Sequence, residues 1–399
     1  MNKKKNIKIK HSKGRLYKKR KSKGRKVLET LVLVILAGGL IFVGYSAAGP
    51  LIAHLSGGEN TDDISAPWTP SEITSSDSIQ NTGDSETNLS SSETKAENSG
   101  GSGSYLLPQS ALENGSSLSN ALSEAKKAGF TVILVPVKDT SGNLLYKSSI
   151  EYVKDTELIK GTLYAGQIVS AAKTNGLIPK AVIPTLMDSG TPGHVEDTGY
   201  TFASGGYGWL DNTAENGGKR WVDPFLDGTK KYYSDLSEEL NSAGFEEIII
   251  SELRFPDFNP IDESFLLARC FEADRYKALT ALYKNVFDSS DKKTAVSINA
   301  KDVLDGYGKS YGRTAEILKD KSFTGIVYLT VDLTQFDTEL KTGEDTSVKL
   351  SADPVKKASQ LIGKAVEYVG TNITVVPVIL PNGISDDTLI RCYKGLAAE

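Results

Sequence analysis

Three times the sequence runs a helical stretch into a glycine and then into an apolar segment. Ala128-Gly129-Phe130 leads into residues 131–138, Asn175-Gly176-Leu177 into 178–187, and Ala243-Gly244-Phe245 into 246–251. A glycine just past a helix supplies the left-handed turn that other residues resist. Apolar runs at 294–299, 325–332 and 372–380, and a short one near 105–108, read as further strands. The last is preceded by a helix with clear ends: Asp353 caps it, Pro354 takes its first position, and Gly370 follows it. Strands alternating with helices demand parallel pairing and right-handed crossovers, and continuous apolar runs mark strands covered on both faces. The expectation is an α/β, TIM-like (β/α)8 barrel over residues 105–399. Seven strands are countable, so one is lacking or distorted; a doubly wound open sheet is the alternative.

The amino-terminal quarter cannot belong to that barrel. Residues 1–26 hold fourteen of the 46 Lys and Arg and no acid, so the remainder carries 32 basic against 50 acidic residues. Residues 31–53 then run uncharged, long enough for a helix to cross a bilayer. The expected organisation is a basic cytoplasmic tail (1–26), a transmembrane anchor (27–55), a disordered linker (56–104) and the barrel. Positive charge is retained inside, where it can touch anionic lipid, so the barrel is expected outside the cell membrane. A cleavable signal peptide ending near Ser46-Ala47-Ala48 is the rival, and it too exports the barrel. The linker is rich in Ser, Thr, Asn, Gly and acids, too polar to offset its ordering entropy.

Composition narrows the chemistry. An acidic body argues against nucleic acid as a partner. Three scattered histidines offer no clustered His metal site, and no phosphate-binding glycine motif follows a strand, so neither metal nor cofactor is expected. Cys270 and Cys392 fall on helical runs with no neighbouring His. In a barrel the active site lies where strands end. Those positions hold Lys138-Asp139, Asp188, Ser251-Glu252-Leu253-Arg254, residues 299–302 and Asp332. Several carboxylates around one mouth suit glycoside hydrolysis, which needs an acid and a second carboxylate; acids after strands also cap helices. Residues 189–225 form a long irregular, Gly-rich segment carrying Tyr200, Phe202, Tyr207, Trp209 and Trp221. Such aromatics either stack on sugar or pack the loop down.

Residues 128–139, 142–148, 221–224 and above all 244–256 (GFEEIIISELRFP) resemble a bacterial family of barrels described as glycosyl hydrolases. The resemblance implies a barrel acting on carbohydrate, over about 105–390. It also exposes departures. Where the family carries an Asp then a Tyr at the end of the fourth strand, this chain has Ser251 and Glu252; family acids in the second and fifth strands are Pro136 and Asn299, and a third-strand Arg is Val182. Alternation along a strand keeps Glu252 off the Ser251 face unless the chain bends there. For an active enzyme, the candidate catalytic residues are Glu252, with Asp332 or Asp188 as second carboxylate. The candidate substrate-binding residues are Lys138, Asp139, Arg254, Tyr207, Trp209 and Trp221, with Arg254 either orienting a carboxylate or holding an anion. The expected partners are a carbohydrate and, through the anchor, membrane lipid. The other reading is an inactive carbohydrate-binding or cell-envelope scaffold barrel.

Overall fold

A computed structural model describes residues 103–202, 206, 208–266, 275–287 and 293–396. The tail expected at 1–26, the anchor at 27–55 and nearly all of the linker at 56–104 lie outside these residues, as do Tyr207 and Cys270. Among the described residues no helix is long and apolar enough to cross a membrane.

Seven parallel strands form one sheet: β1 (Ser104–Leu106), β2 (Val132–Pro136), β3 (Ile178–Pro184), β4 (Glu247–Ser251), β5 (Lys293–Asn299), β6 (Gly325–Val331) and, after the hairpin β7 (Glu339–Lys341) and β8 (Ser347–Lys349), β9 (Ile373–Ile379). Each pairs with the strand before it and β9 pairs with β6. The hairpin, an exposed antiparallel insertion after β6, has no counterpart in the sequence pattern.

Glycine punctuates the helices where the pattern placed it. Helices α1 (Gly115–Lys127), α2 (Ala165–Thr174) and α3 (Asp227–Ala243) are followed by Gly129, Gly176 and Gly244 at φ of 91°, 72° and 98°. Before α4 (Pro354–Val369), the Asp353 carboxylate accepts the amides of Val355 and Lys356. The outward faces of the strands, through Ile133, Ile248, Val296 and Leu329, join the apolar faces of these helices in the main core. Burying each such side chain contributes about 1.5–3 kcal/mol.

The inward faces form a separate cluster of Leu134, Ile249, Ala295, Tyr328 and Val378. Its polar member is a network in which Lys180 Nζ bonds Glu247 Oε2 at 2.7 Å and the Tyr328 hydroxyl donates to the same oxygen. Burial and the Glu247 charge push the Tyr328 phenol well above its ordinary range.

The sheet curls until β1 and β9 approach, and the seam is closed by a side chain. Tyr393, on α5 (Asp386–Leu396), donates its hydroxyl hydrogen to Ser104 O of β1 at 2.8 Å and accepts the Ile379 amide of β9 at 2.9 Å. A Cβ on Gly103 would fall inside the Tyr393 ring, so only glycine lets the phenol this close. The result is a nearly closed seven-stranded barrel, in which a phenol does the bonding an eighth strand would do.

Candidate active site at the carboxyl end of the fourth strand

The strand ends converge on the face where βα loops assemble, and β4 supplies the distinctive geometry there. Ser251 continues the inward alternation of Glu247 and Ile249. The next residue breaks it. Glu252 has φ of 50°, left-handed for a residue with a Cβ, a conformation that costs about 1–3 kcal/mol and persists only where its surroundings impose it. Here they do: Glu252 O accepts the Leu186 amide at 3.1 Å, and Ser251 O accepts the Thr185 amide at 2.9 Å, so the backbone beyond β3 clamps the bend.

The bend puts the Glu252 carboxylate beside Arg254, with Nε 2.6 Å from Oε2. The Arg254 side chain is 9 % exposed, that of Glu252 27 %. The guanidinium lies over Trp221, 5.0 Å from the ring centroid, and against the Met187 sulfur. Trp221 in turn donates its indole hydrogen to Asp211 Oδ2 at 2.8 Å. Glu252, Arg254, Trp221 and Asp211 thus form one chain of contacts, brought together from two segments of the sequence.

Other strand-end residues are committed elsewhere. Lys138 and Asp188 face each other at 2.6 Å with both side chains fully buried. Lys138 also donates to Pro184 O, and Asp188 Oδ1 accepts the amides of Gly190 and Thr191. Neither side chain is open to a substrate. Asp139 holds a turn: its oxygens accept the Ser141 and Asn143 amides and the Asn143 side chain. Asp332 is buried and caps the short helix Leu333–Gln335, accepting from Thr334 and from Asn382. Burial pushes its carboxyl up, but these hydrogen bonds outweigh burial and hold it below the ordinary value. Asn299 caps the helix Ala300–Leu304 through the Lys301 amide.

The aromatics of the long loop pack inward. Trp209 is 1 % exposed and joins Tyr200, Trp221 and Leu266 in a cluster of its own, with Phe258 5.4 Å from the Trp209 ring. That burial leaves Trp209 no free face for a sugar, and Trp221 has one face covered by Arg254.

A carboxyl group absent from the strand-end positions also reaches this region. Glu316, on the 3-10 helix Arg313–Lys319 between β5 and β6, accepts the Phe255 amide on Oε2 at 3.1 Å. Its side chain is 12 % exposed. Burial raises its pKa above the ordinary glutamate value, even though the Phe255 amide and the charges of Lys319, Arg275 and Arg254 act in the opposite direction. No spacing in the sequence marks it, since it sits mid-connection rather than at a strand end. Among the described residues no group of His, Cys, Asp and Glu could hold a metal ion.

Residues 104–300 match the sequence family described as "putative glycosyl hydrolase domain". Among curated proteins, none matches the chain. The chain is also similar to three solved structures. For a hypothetical protein from Ruminiclostridium thermocellum ATCC 27405, the identity is 17 %, the coverage 48 % of this chain and 96 % of that one, and the TM-score 0.40. For the PgaB (BpsB) glycoside hydrolase domain from Bordetella bronchiseptica the values are 16 %, 68 %, 82 % and 0.41. For the catalytic domain of the beta-amylase from Paenibacillus polymyxa they are 13 %, 72 %, 94 % and 0.39.

Proposed function

From the membership of residues 104–300 in that glycosyl hydrolase family, we propose that this chain is a glycoside hydrolase working at the carboxyl end of β4. The observation that carries the reading is the left-handed Glu252, whose half-open carboxylate is held by a buried arginine. Strained backbone is retained where function needs a side chain re-aimed. The bend answers the departure seen in the sequence, where Ser251 replaces the family acid and Glu252 stands one residue late. Glu252 is the carboxylate that meets the anomeric carbon or the attacking water, and Arg254 positions it. The uncharged stretch 31–53 behind its basic tail supports an anchored enzyme with its barrel outside the cell, acting on cell-surface or environmental carbohydrate.

A second reading, a barrel that binds glycan without cleaving it, is favoured by one specific fact: Asp188 and Asp332 are both tied into structural hydrogen bonds. Release of reducing ends from a polysaccharide panel by the purified full-length protein separates the two. Release by the parent and not by Glu252→Gln is the expected result. Release by both variants removes Glu252 from the chemistry. No release, with protein retained on one polysaccharide, establishes the binding barrel instead.

A further inference from the structure

Hydrolysis at Glu252 lacks one component: a group to protonate the departing oxygen. Asp188 and Asp332 cannot reach a substrate without giving up their partners, and Ser and Asn do not titrate near neutrality. We propose that Glu316 is the proton donor of this site, set against the turn 252–255 by the Phe255 amide and facing the same arginine as Glu252. The inference rests on the functional reading above.

The geometry is economical. Glu252, Arg254 and the Phe255 amide occupy four consecutive residues, whose span is at most about 10 Å at the reach of an extended chain. The Glu316 carboxyl is thus anchored by the backbone amide three residues beyond Glu252, at the turn that also carries the arginine bonded to Glu252. The amide fixes Oε2 and leaves Oε1 3.8 Å from Lys319, beyond hydrogen-bonding distance. Among the described residues, the charges that act on Glu316 include three cations: Lys319 on its own helix, Arg275 on the helix Arg275–Leu282, and Arg254 on the turn. Arg254 is meanwhile engaged by Glu252 and stacked on Trp221. The two carboxyls therefore sit in different surroundings, Glu252 in a close ion pair and partly open, Glu316 mostly buried on a backbone amide with a longer ion pair to Lys319. A carboxyl raised by burial, as Glu316 is, is the kind a general acid needs.

The step balances with water as co-reactant. The bond from the anomeric carbon to the bridging oxygen breaks, its electron pair stays on that oxygen, and the Glu316 proton joins it. Water supplies the oxygen that ends on the anomeric carbon, and one of its protons returns to Glu316.

The test uses full-length protein, the panel polysaccharide that the parent cleaves, and the 2,4-dinitrophenyl glycoside of the sugar released. Glu316→Gln is expected to lower polysaccharide turnover roughly 100- to 10,000-fold. The activated glycoside, whose phenolate leaves without protonation, should lose less than about tenfold under the same principle. The alkaline limb of the parent's kcat/KM profile should vanish in the variant. An equal loss on both substrates, or an unchanged pH profile, overturns the assignment while leaving the hydrolase reading intact. A parent that releases nothing overturns both. A fold check runs alongside. A carboxyl raised by burial stabilises the fold at low pH and loses that contribution as pH rises through its folded value. The variant should therefore melt no lower than the parent at pH 8. If Glu316→Gln does not fold, Glu316→Asp keeps the acid but withdraws it, and must show the same split between the two substrates.

Discussion

The buried pair Lys138 and Asp188 stands at the ends of two strands, where a catalytic residue would be sought, yet its surroundings are those of a brace. Both side chains are fully buried, the ion pair is 2.6 Å long, Lys138 also donates to the Pro184 carbonyl over the face of Tyr233, and Asp188 accepts two backbone amides. Asp188→Asn leaves the Lys138 ammonium buried with only the Pro184 carbonyl and a ring face. Lys138→Met leaves the Asp188 carboxylate with two backbone amides and no cation in contact. Stranding one member of a buried pair costs about 3–5 kcal/mol, whereas replacing both is much less harmful. The double variant Lys138→Met/Asp188→Asn keeps a neutral acceptor for Gly190 and Thr191, so its loss should stay below about 3 kcal/mol, far under the sum of the singles. In urea, with a slope near 3 kcal/mol per M, each single variant should move the unfolding midpoint down by more than about 1 M. Fluorescence-monitored urea titration of the parent, both singles and the double measures all four corners of the cycle. Asp188→Asn with an unshifted midpoint and abolished hydrolysis would refute the brace and return Asp188 to the chemistry; strictly additive losses would refute the pairing.

Two further outcomes follow from buried hydrogen bonds. Tyr393→Phe leaves the Ser104 carbonyl and the Ile379 amide at the seam without the hydroxyl that serves both; at about 1–3 kcal/mol for each stranded group the loss should be about 2–6 kcal/mol, with faster hydrogen exchange at the Ile379 amide, and unchanged exchange would mean that the seam is closed by something else. The Asp332 carboxyl is held below its ordinary value of 3.8, so it contributes stability above that value and loses it as pH falls through the folded one; the gap in melting temperature between parent and Asp332→Asn should be widest near neutrality and shrink below about pH 4, and a gap independent of pH would contradict the assignment.

What the sequence revealed, it revealed through local physics. Gly129, Gly176 and Gly244 are left-handed because a helix must stop there, and Asp353 caps a helix because two amides need an acceptor. Such requirements are met within a few residues and can be read along the chain. The seam cannot, because Tyr393 acts on Ser104 from the opposite end of the domain. The same divide runs through the site. Glu252 and Arg254 were legible from a strand-end motif, but the bend that unites them depends on amides at 185–187. Asp188 and Lys138 look alike in sequence whether they line a mouth or brace a loop, since burial decides and spacing does not. Glu316 offered no local sign at all; its partner amide lies 61 residues upstream.

The long loop takes on a different role once its packing is known. Its aromatic richness suggested a platform for sugar, yet Trp209 and Tyr200 are buried against one another, 5.8 Å between centroids, with Phe258 completing the cluster. A loop with its own small core can hold its edges still, and the edge that matters is Trp221. The Asp211 carboxylate fixes its buried indole, whose ring lies under the Arg254 guanidinium. An arginine stacked on one face and touching Met187 on another has few rotamers left, so the carboxylate it holds is equally confined. Strain at Glu252 is thus opposed from two directions, by amides beyond β3 that grip its carbonyl and by a guanidinium that grips its side chain. Preorganisation of this kind needs support behind the reacting group rather than more groups in front of it. On the proposed reading, an aromatic loop with so little exposed surface acts on the site through the position of Arg254.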